Sequence, residues 1–215
     1  MANAEYVRVG EKLDSCTFRT QFLNYRRSRS RRCCVIFELK RQNSRVRFWG
    51  YAMNKPWSNA DVGIHAEFFC IKKVKKYLRK NPGIYTINWY SSWSPCANCA
   101  EKILNWYNKK LMGKGHTLKI WACKLYFENI KRNQIGLWNL RNNGVGLAIM
   151  LGEHYQWCWN NYIQTLGRNL NENKWLKKTS NRARTRRSEL SIMIHVKRLH
   201  TARLLLFKRL CGWFS

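Results

Sequence analysis

The stretch 65-HAEFFCIKKVKKYLRKNPGIYTINWYSSWSPCANC-99 decides how the rest of the chain is read. It opens on His65-Ala66-Glu67 and closes on Pro95-Cys96-Ala97-Asn98-Cys99. One His and two Cys form a donor set for a tetrahedral zinc whose fourth position is left to water, the pattern of a catalytic site. Ile64, Phe68, Ile71, Val74 and Leu78 recur at helical spacing and predict an amphipathic helix with His65 in its first turn. Ser94-Pro95 has the form of an N-cap hydroxyl followed by proline at the first helical position. Cys96 and Cys99 are therefore expected three residues apart on one side of a second helix. Two helix starts meeting there would lend positive dipole ends to the thiols and favour the thiolates that a metal needs.

Glu67 lies two residues from His65, so it projects at a different angle and need not be a ligand. A carboxylate beside a metal-activated water can take its proton and return it to a leaving amine. Taken alone, Cys96-x-x-Cys99 also fits a redox pair or half of a structural zinc site. A structural site normally wants a fourth protein ligand, and the only other close pair is Cys33-Cys34. His-x-Glu at this distance tips the reading towards a catalytic zinc.

His-x-Glu combined with Pro-Cys-x-x-Cys is the zinc deaminase signature. Within that class Ser92-Trp93-Ser94-Pro95-Cys96 resembles the motif of the AID/APOBEC polynucleotide cytosine deaminases, and the similarity extends over about residues 1–200. Ile87-Asn88-Trp89-Tyr90-Ser91-Ser92-Trp93 and Asn133-Gln134-Ile135-Gly136-Leu137-Trp138-Asn139-Leu140 are most similar to lamprey members of that family. The resemblance implies one catalytic zinc on His65, Cys96 and Cys99, with Glu67 as the proton-transferring residue. It implies further that Trp93 and Tyr126 wall the target base, with Ser94 and Phe127 in the same substrate site. Asn54 would bond near the sugar, and residues 127–132 would read the preceding nucleotide. The implied reaction is conversion of cytosine to uracil in single-stranded DNA, with RNA as the alternative substrate. A catalytically silent zinc-containing nucleic-acid-binding protein is the contrasting reading. A lamprey-like role would be diversification of antigen-receptor genes.

Composition points the same way. Lys and Arg number 41 against 11 Asp and Glu, a formal charge of +30 over 215 residues. Such an excess costs self-repulsion and is best matched by a polyanionic partner, nucleic acid before an anionic membrane surface. Arg26, Arg27, Arg29, Arg31 and Arg32 fall in a loop before the first long strand, and Lys131 and Arg132 follow Tyr126-Phe127. Both groups are candidates for backbone phosphate contacts, because single-strand binders combine cations with aromatic platforms. Arg182, Arg184, Arg186 and Arg187 form an auxiliary basic patch. Nine cysteines, an odd number without disulfide-like spacing, and the lack of a signal-peptide or membrane-spanning run predict reduced thiols in the nucleus and cytoplasm. Oligomeric state is not legible.

The pattern predicts one α/β domain of the cytidine-deaminase type over 1–200, followed by a basic, partly apolar tail over 201–215. Its elements are a helix within 3–23, with Tyr6, Val9, Leu13, Thr17 and Phe22 facing the core, then strands at 34–39 and 46–53. The zinc-motif helices enclose a strand at 85–90. Strands at 118–126 and 145–151 follow, the latter apolar enough to be central, with a helix to about Asn142 between them. Helices over 153–165 and 172–199 complete a mixed five-stranded sheet covered on both faces by about six helices.

Overall fold

The computed structural model describes residues 6–23, 32–42, 44–55, 64–165 and 182–192. Its centre is a sheet of β1 (Val7–Val9), β3 (Cys34–Arg41), β4 (Val46–Met53), β5 (Tyr85–Ser91), β6 (Thr117–Ala122) and β7 (Gly146–Ile149), in the order β1-β4-β3-β5-β6-β7. A two-residue parallel pair, β2 (Leu13–Asp14) with β8 (Ile163–Gln164), stands apart from it. Pairing is antiparallel from β1 through β5 and parallel from β5 to β7. The helices are α1 (Ser15–Phe22), α2 (Ala66–Lys80), α3 (Ala97–Trp106), α4 (Lys131–Asn142), α5 (Gly152–Tyr162) and residues 182–192.

Strict alternation along β3 divides the interior in two. Val35, Phe37 and Leu39 join Ile87, Trp89, Ile103 and Leu137 in a core under α2, α3 and α4. Cys34 and Ile36 join Phe18, Phe22, Tyr155 and Trp159 in a second core under α1 and α5. Ala183 and Leu190 attach the 182–192 helix to the first core. The mixed α/β layout with helices on both faces is thus as the sequence predicts.

Several boundaries differ, each for a local reason. Residues 3–23 do not form one helix: the chain turns at Gly10, with φ +70°, after β1 has added a sixth strand at the sheet edge. The helix begins only at Ser15, where Asp14 accepts from the Thr17 N–H at 2.7 Å. Phe18 packs inward there while Val9 stays exposed. On α2 the buried face is Ala66, Glu67, Cys70, Ile71 and Val74, and Phe68 is solvent-facing at 44% exposure. Ser94-Pro95 does not start α3, whose N-cap is Cys96. The strand expected over 118–126 stops at Ala122. The strand expected to be central, β7, is an edge strand. Its apolar character comes from Leu147 and Ile149 facing the first core beside α4. α5 ends at Tyr162. Of the helix expected over 172–199, residues 182–192 are helical, and the rest, like the 201–215 tail, lies outside the described residues.

Candidate metal centre and its surroundings

Four strand ends converge on one end of the sheet: the start of β3 and the ends of β4, β5 and β6. Backbone bonds lock them together. Ser92 N–H donates to Cys34 O at 2.9 Å, Asn54 N–H to Cys33 O at 3.1 Å, and Cys123 N–H to Ser91 O at 2.8 Å. Ligand sites in open α/β sheets form outside such carboxyl ends, and here α2 and α3 both begin above them.

His65 is the N-cap of α2 and Cys96 the N-cap of α3, and neither side chain caps its own helix. Both are free to face a third body. The Cys99 Sγ lies 3.2 Å and the Cys96 Sγ 3.5 Å from His65 Nδ1, and the three donor atoms fall within 4.8 Å of one another. Hydrogen bonds from Cys99 and His65 pull the Cys96 thiol down to about 4, which favours the thiolate form. The same shared bond and burial push the Cys99 thiol up, and metal binding would release its proton. His65 is raised by its bond to the Cys96 thiolate. One nitrogen and two sulfurs converging in this way, with no fourth protein donor in the cluster among the described residues, are positioned to hold a single zinc ion.

Glu67 sits in the first turn of α2, buried, with Oε2 lacking any hydrogen-bond partner among the described residues. Burial raises its pKa, partly opposed by a hydrogen bond from its own backbone N–H and by His65. A buried carboxyl group with a raised pKa and an oxygen that no described residue engages is equipped to accept and return a proton.

Around this centre the other predicted residues take definite places. Asn54 Oδ1 accepts from the Cys33 N–H at 2.7 Å, tying the end of β4 to the start of β3. The Trp93 and Tyr126 rings meet edge-on at 6.2 Å, and Tyr126 meets Phe127 edge-on at 4.6 Å. Trp93 and Tyr126 are half-buried and Phe127 is 62% exposed. Ser94, expected as a helix cap, instead accepts from the Tyr126 N–H through Oγ at 2.9 Å and donates its own N–H to Lys124 O at 2.7 Å. Arg32 lies exposed just before Cys33, and Lys131 and Arg132 are exposed at the start of α4. Arg26, Arg27, Arg29 and Arg31 lie outside the described residues.

Sequence reasoning gave three neighbours no role in the site. Cys33 lies against Ser91 and Ser92, with its thiol raised to about 12 by burial and by Glu67. Lys124 sits with Nζ 4.4 Å from the centre of the Trp93 ring. Asn133 is buried on the apolar face that α4 presents through Leu137 and Leu140. That last one carried a signal, a polar residue at helical spacing on a core face.

The profile described as "APOBEC3, cytosine deaminase domain" matches residues 11–191. The "DNA dC->dU-editing enzyme APOBEC-3H" of Homo sapiens is 30% identical over 154 residues, 68% of this chain and 71% of that protein. The "DNA dC->dU-editing enzyme APOBEC-3Ca" of Felis catus is 27% identical over 173 residues, 78% of this chain and 86% of that protein. The "C->U-editing enzyme APOBEC-1" of Homo sapiens is 31% identical over 133 residues, 60% of this chain. The chain spans about half the length of the APOBEC-1 proteins that it matches.

Proposed function

The chain belongs to the APOBEC3 cytosine deaminase domain family, and from that premise we propose that it hydrolyses cytosine to uracil and ammonia within single-stranded polynucleotides, DNA before RNA. The observation that carries this reading is the buried carboxyl of Glu67, with one oxygen free, beside the His65, Cys96 and Cys99 donors. Zinc held by those three residues supplies the Lewis acidity that activates water at neutral pH. Glu67 would take a proton from the attacking water and deliver it to the ring nitrogen, then pass the proton of the hydroxyl newly bonded to the ring carbon to the amine, which leaves as ammonia when its C–N bond breaks. The raised pKa suits it to both directions.

The base must leave its stack to reach this depth. Trp93 and Tyr126 flank it, Asn54 bonds near its sugar, and Phe127 with the turn that follows it meets the preceding nucleotide. Arg32, Lys131 and Arg132, together with Arg26, Arg27, Arg29 and Arg31, answer the phosphates and give the +30 charge its purpose. Resemblance to lamprey enzymes in 87–93 and 133–140 extends the proposal to antigen-receptor gene diversification, with residence in nucleus and cytoplasm.

RNA editing is the second reading, for which the APOBEC-1 relatives, named C->U-editing enzymes without mention of DNA, leave room. The test is incubation with matched single- and double-stranded DNA and RNA oligonucleotides, followed by uracil detection. Product is expected from single-stranded DNA and to vanish in Glu67→Ala. Product from RNA alone would replace the substrate, and activity surviving in Glu67→Ala would remove the proton carrier.

A further inference from the structure

Cys96 and Cys99, which would hold the metal, and Tyr126 and Phe127, which would meet the strand, belong to different elements, α3 and the 123–130 turn, and one side chain joins them. Asn133 Oδ1 accepts from the Ala97 N–H at 2.9 Å. Ala97 is the first residue of α3, next to Cys96, and the Cys96 side chain does not cap the helix. Asn133 therefore answers an otherwise orphaned donor at that helix start from a neighbouring helix. Through its other end Asn133 Nδ2 donates to Tyr126 O at 3.0 Å and Phe127 O at 3.3 Å. Gln134 Nε2 extends the series to Glu128 O at 2.8 Å.

Two further observations show that this joint is under tension and closely fitted. Phe127 has φ +41°, the only positive value at a non-glycine residue among the described residues, and a bulky side chain resists that conformation. Its carbonyl is held by Asn133 Nδ2 and by the Ile130 N–H at 3.0 Å. One turn along α4, Gly136 lies so near α3 that an added Cβ would stand 2.9 Å from Ala100 Cβ and 3.3 Å from Ala97 Cα. The same face of α4 thus grips the first turn of α3 sterically and by hydrogen bond, while its N-terminus grips the aromatic turn.

We propose that Asn133 is a positioning residue that fixes the Tyr126-Phe127 turn against the metal-holding helix, and so sets how tightly and how selectively the nucleotide before the target cytosine is held. The clause about the nucleotide rests on the deaminase reading, whereas the joint itself does not. Asn133→Asp separates the two ends: a carboxylate still accepts from Ala97 N–H but cannot donate to the carbonyls of Tyr126 and Phe127. Asn133→Ala severs both.

The experiment pairs hydrogen exchange with kinetics on the zinc-loaded full chain. In Asn133→Asp, exchange at residues 126–130 is expected to speed up by about tenfold while the first turn of α3 keeps its protection, as befits the loss of hydrogen bonds at one end only. KM is expected to rise about tenfold with kcat within about twofold, and discrimination among the four preceding bases to flatten. In Asn133→Ala, the first turn of α3 is expected to exchange faster as well, and a chelating dye to strip zinc sooner. Unchanged exchange at 126–130 in Asn133→Asp would overturn the joint, whatever the activity. Faster exchange with unaltered KM and base discrimination would overturn its role in substrate selection. Loss of kcat, zinc and protection together in both variants would reduce Asn133 to a structural residue. Should the wild-type protein produce no uracil, base discrimination is read instead from oligonucleotide binding, so failure of the deaminase reading stays distinct from failure of this one.

Discussion

Two glutamates are buried on opposite faces of the same sheet, and their surroundings could hardly differ more. Glu38 points from β3 into the core under α5. Its Oε1 accepts from Asn88 Nδ2 at 2.8 Å and Tyr90 OH at 3.1 Å, and pairs with Lys40 Nζ at 3.2 Å. Its Oε2 accepts from Trp157 Nε1 at 2.9 Å and from Tyr162 OH. Every lone pair is spoken for, and Lys40 also caps the Trp157 ring at 4.2 Å. Glu67, also buried, keeps Oε2 without a partner among the described residues, beside three metal donors. A buried carboxyl surrounded by donors ties helices to a sheet, whereas one left partly unsatisfied has kept its capacity for a reaction. Burial alone does not separate structure from function; the count of satisfied oxygens does.

Substituting the two residues should part these roles widely. Glu67→Gln is expected to lower uracil formation by about 10³-fold or more, within the range that general acid–base groups supply. Its melting temperature should hold or rise, because the variant no longer buries an unsatisfied carboxyl. Glu38→Ala is expected to do the opposite. It strands a cluster of buried donors and should cost about 3–5 kcal/mol in urea unfolding, while activity per folded molecule persists. If Glu38→Ala kept its stability, or if Glu67→Gln lost it, the contrast would fail.

Smaller substitutions sharpen it. Gly136→Ala, which must push α4 from α3, is expected to destabilise by about 1–3 kcal/mol and to accelerate zinc loss to a chelator, an effect that no change beside Glu38 should share. Tyr162→Phe removes a single donor from Glu38 and is expected to cost about 1 kcal/mol with kinetics unchanged. The mildest test is pH. Burial raises the folded-state pKa of Glu67 above its ordinary 4.5, so between the two values the folded protein holds a proton that the unfolded chain has released. In metal-stripped protein this contribution makes stability fall as pH rises through that window and level off above it. Glu67→Gln should erase that slope, measured by thermal unfolding across the window.

The chemistry of the site was legible because it is written in residue types at fixed spacing. His65, Glu67, Cys96 and Cys99 need no tertiary knowledge to be suspected, and the structure brings the three ligand atoms together. Their local setting was less legible. Ser94-Pro95 has the local form of a helix start, yet Ser94 spends its hydroxyl on Tyr126, a partner 32 residues away that no local rule can supply. The edge position of β7 was misjudged because an apolar run reports coverage by helices, not rank within the sheet. Glu38 carried a readable sign, a lone acid inside Cys34–Arg41, since a charge at a period-two position in an apolar strand must find partners. Apart from Lys40, those partners lie 50 to 124 residues away, and alternation cannot name them.

The convergence of four strand ends also has a consequence for when, during folding, the pocket comes into being. Cys33 meets Ser91 across 58 residues, and Ser94 meets Tyr126 across 32. These contacts join segments far apart in sequence, so closing them carries a loop-entropy cost that local structure does not. A chain that stops short of β6 already has His65, Glu67, Cys96 and Cys99 but lacks the 124–127 segment that Ser94 and Asn133 hold, so the donor set precedes its surroundings in the order of synthesis.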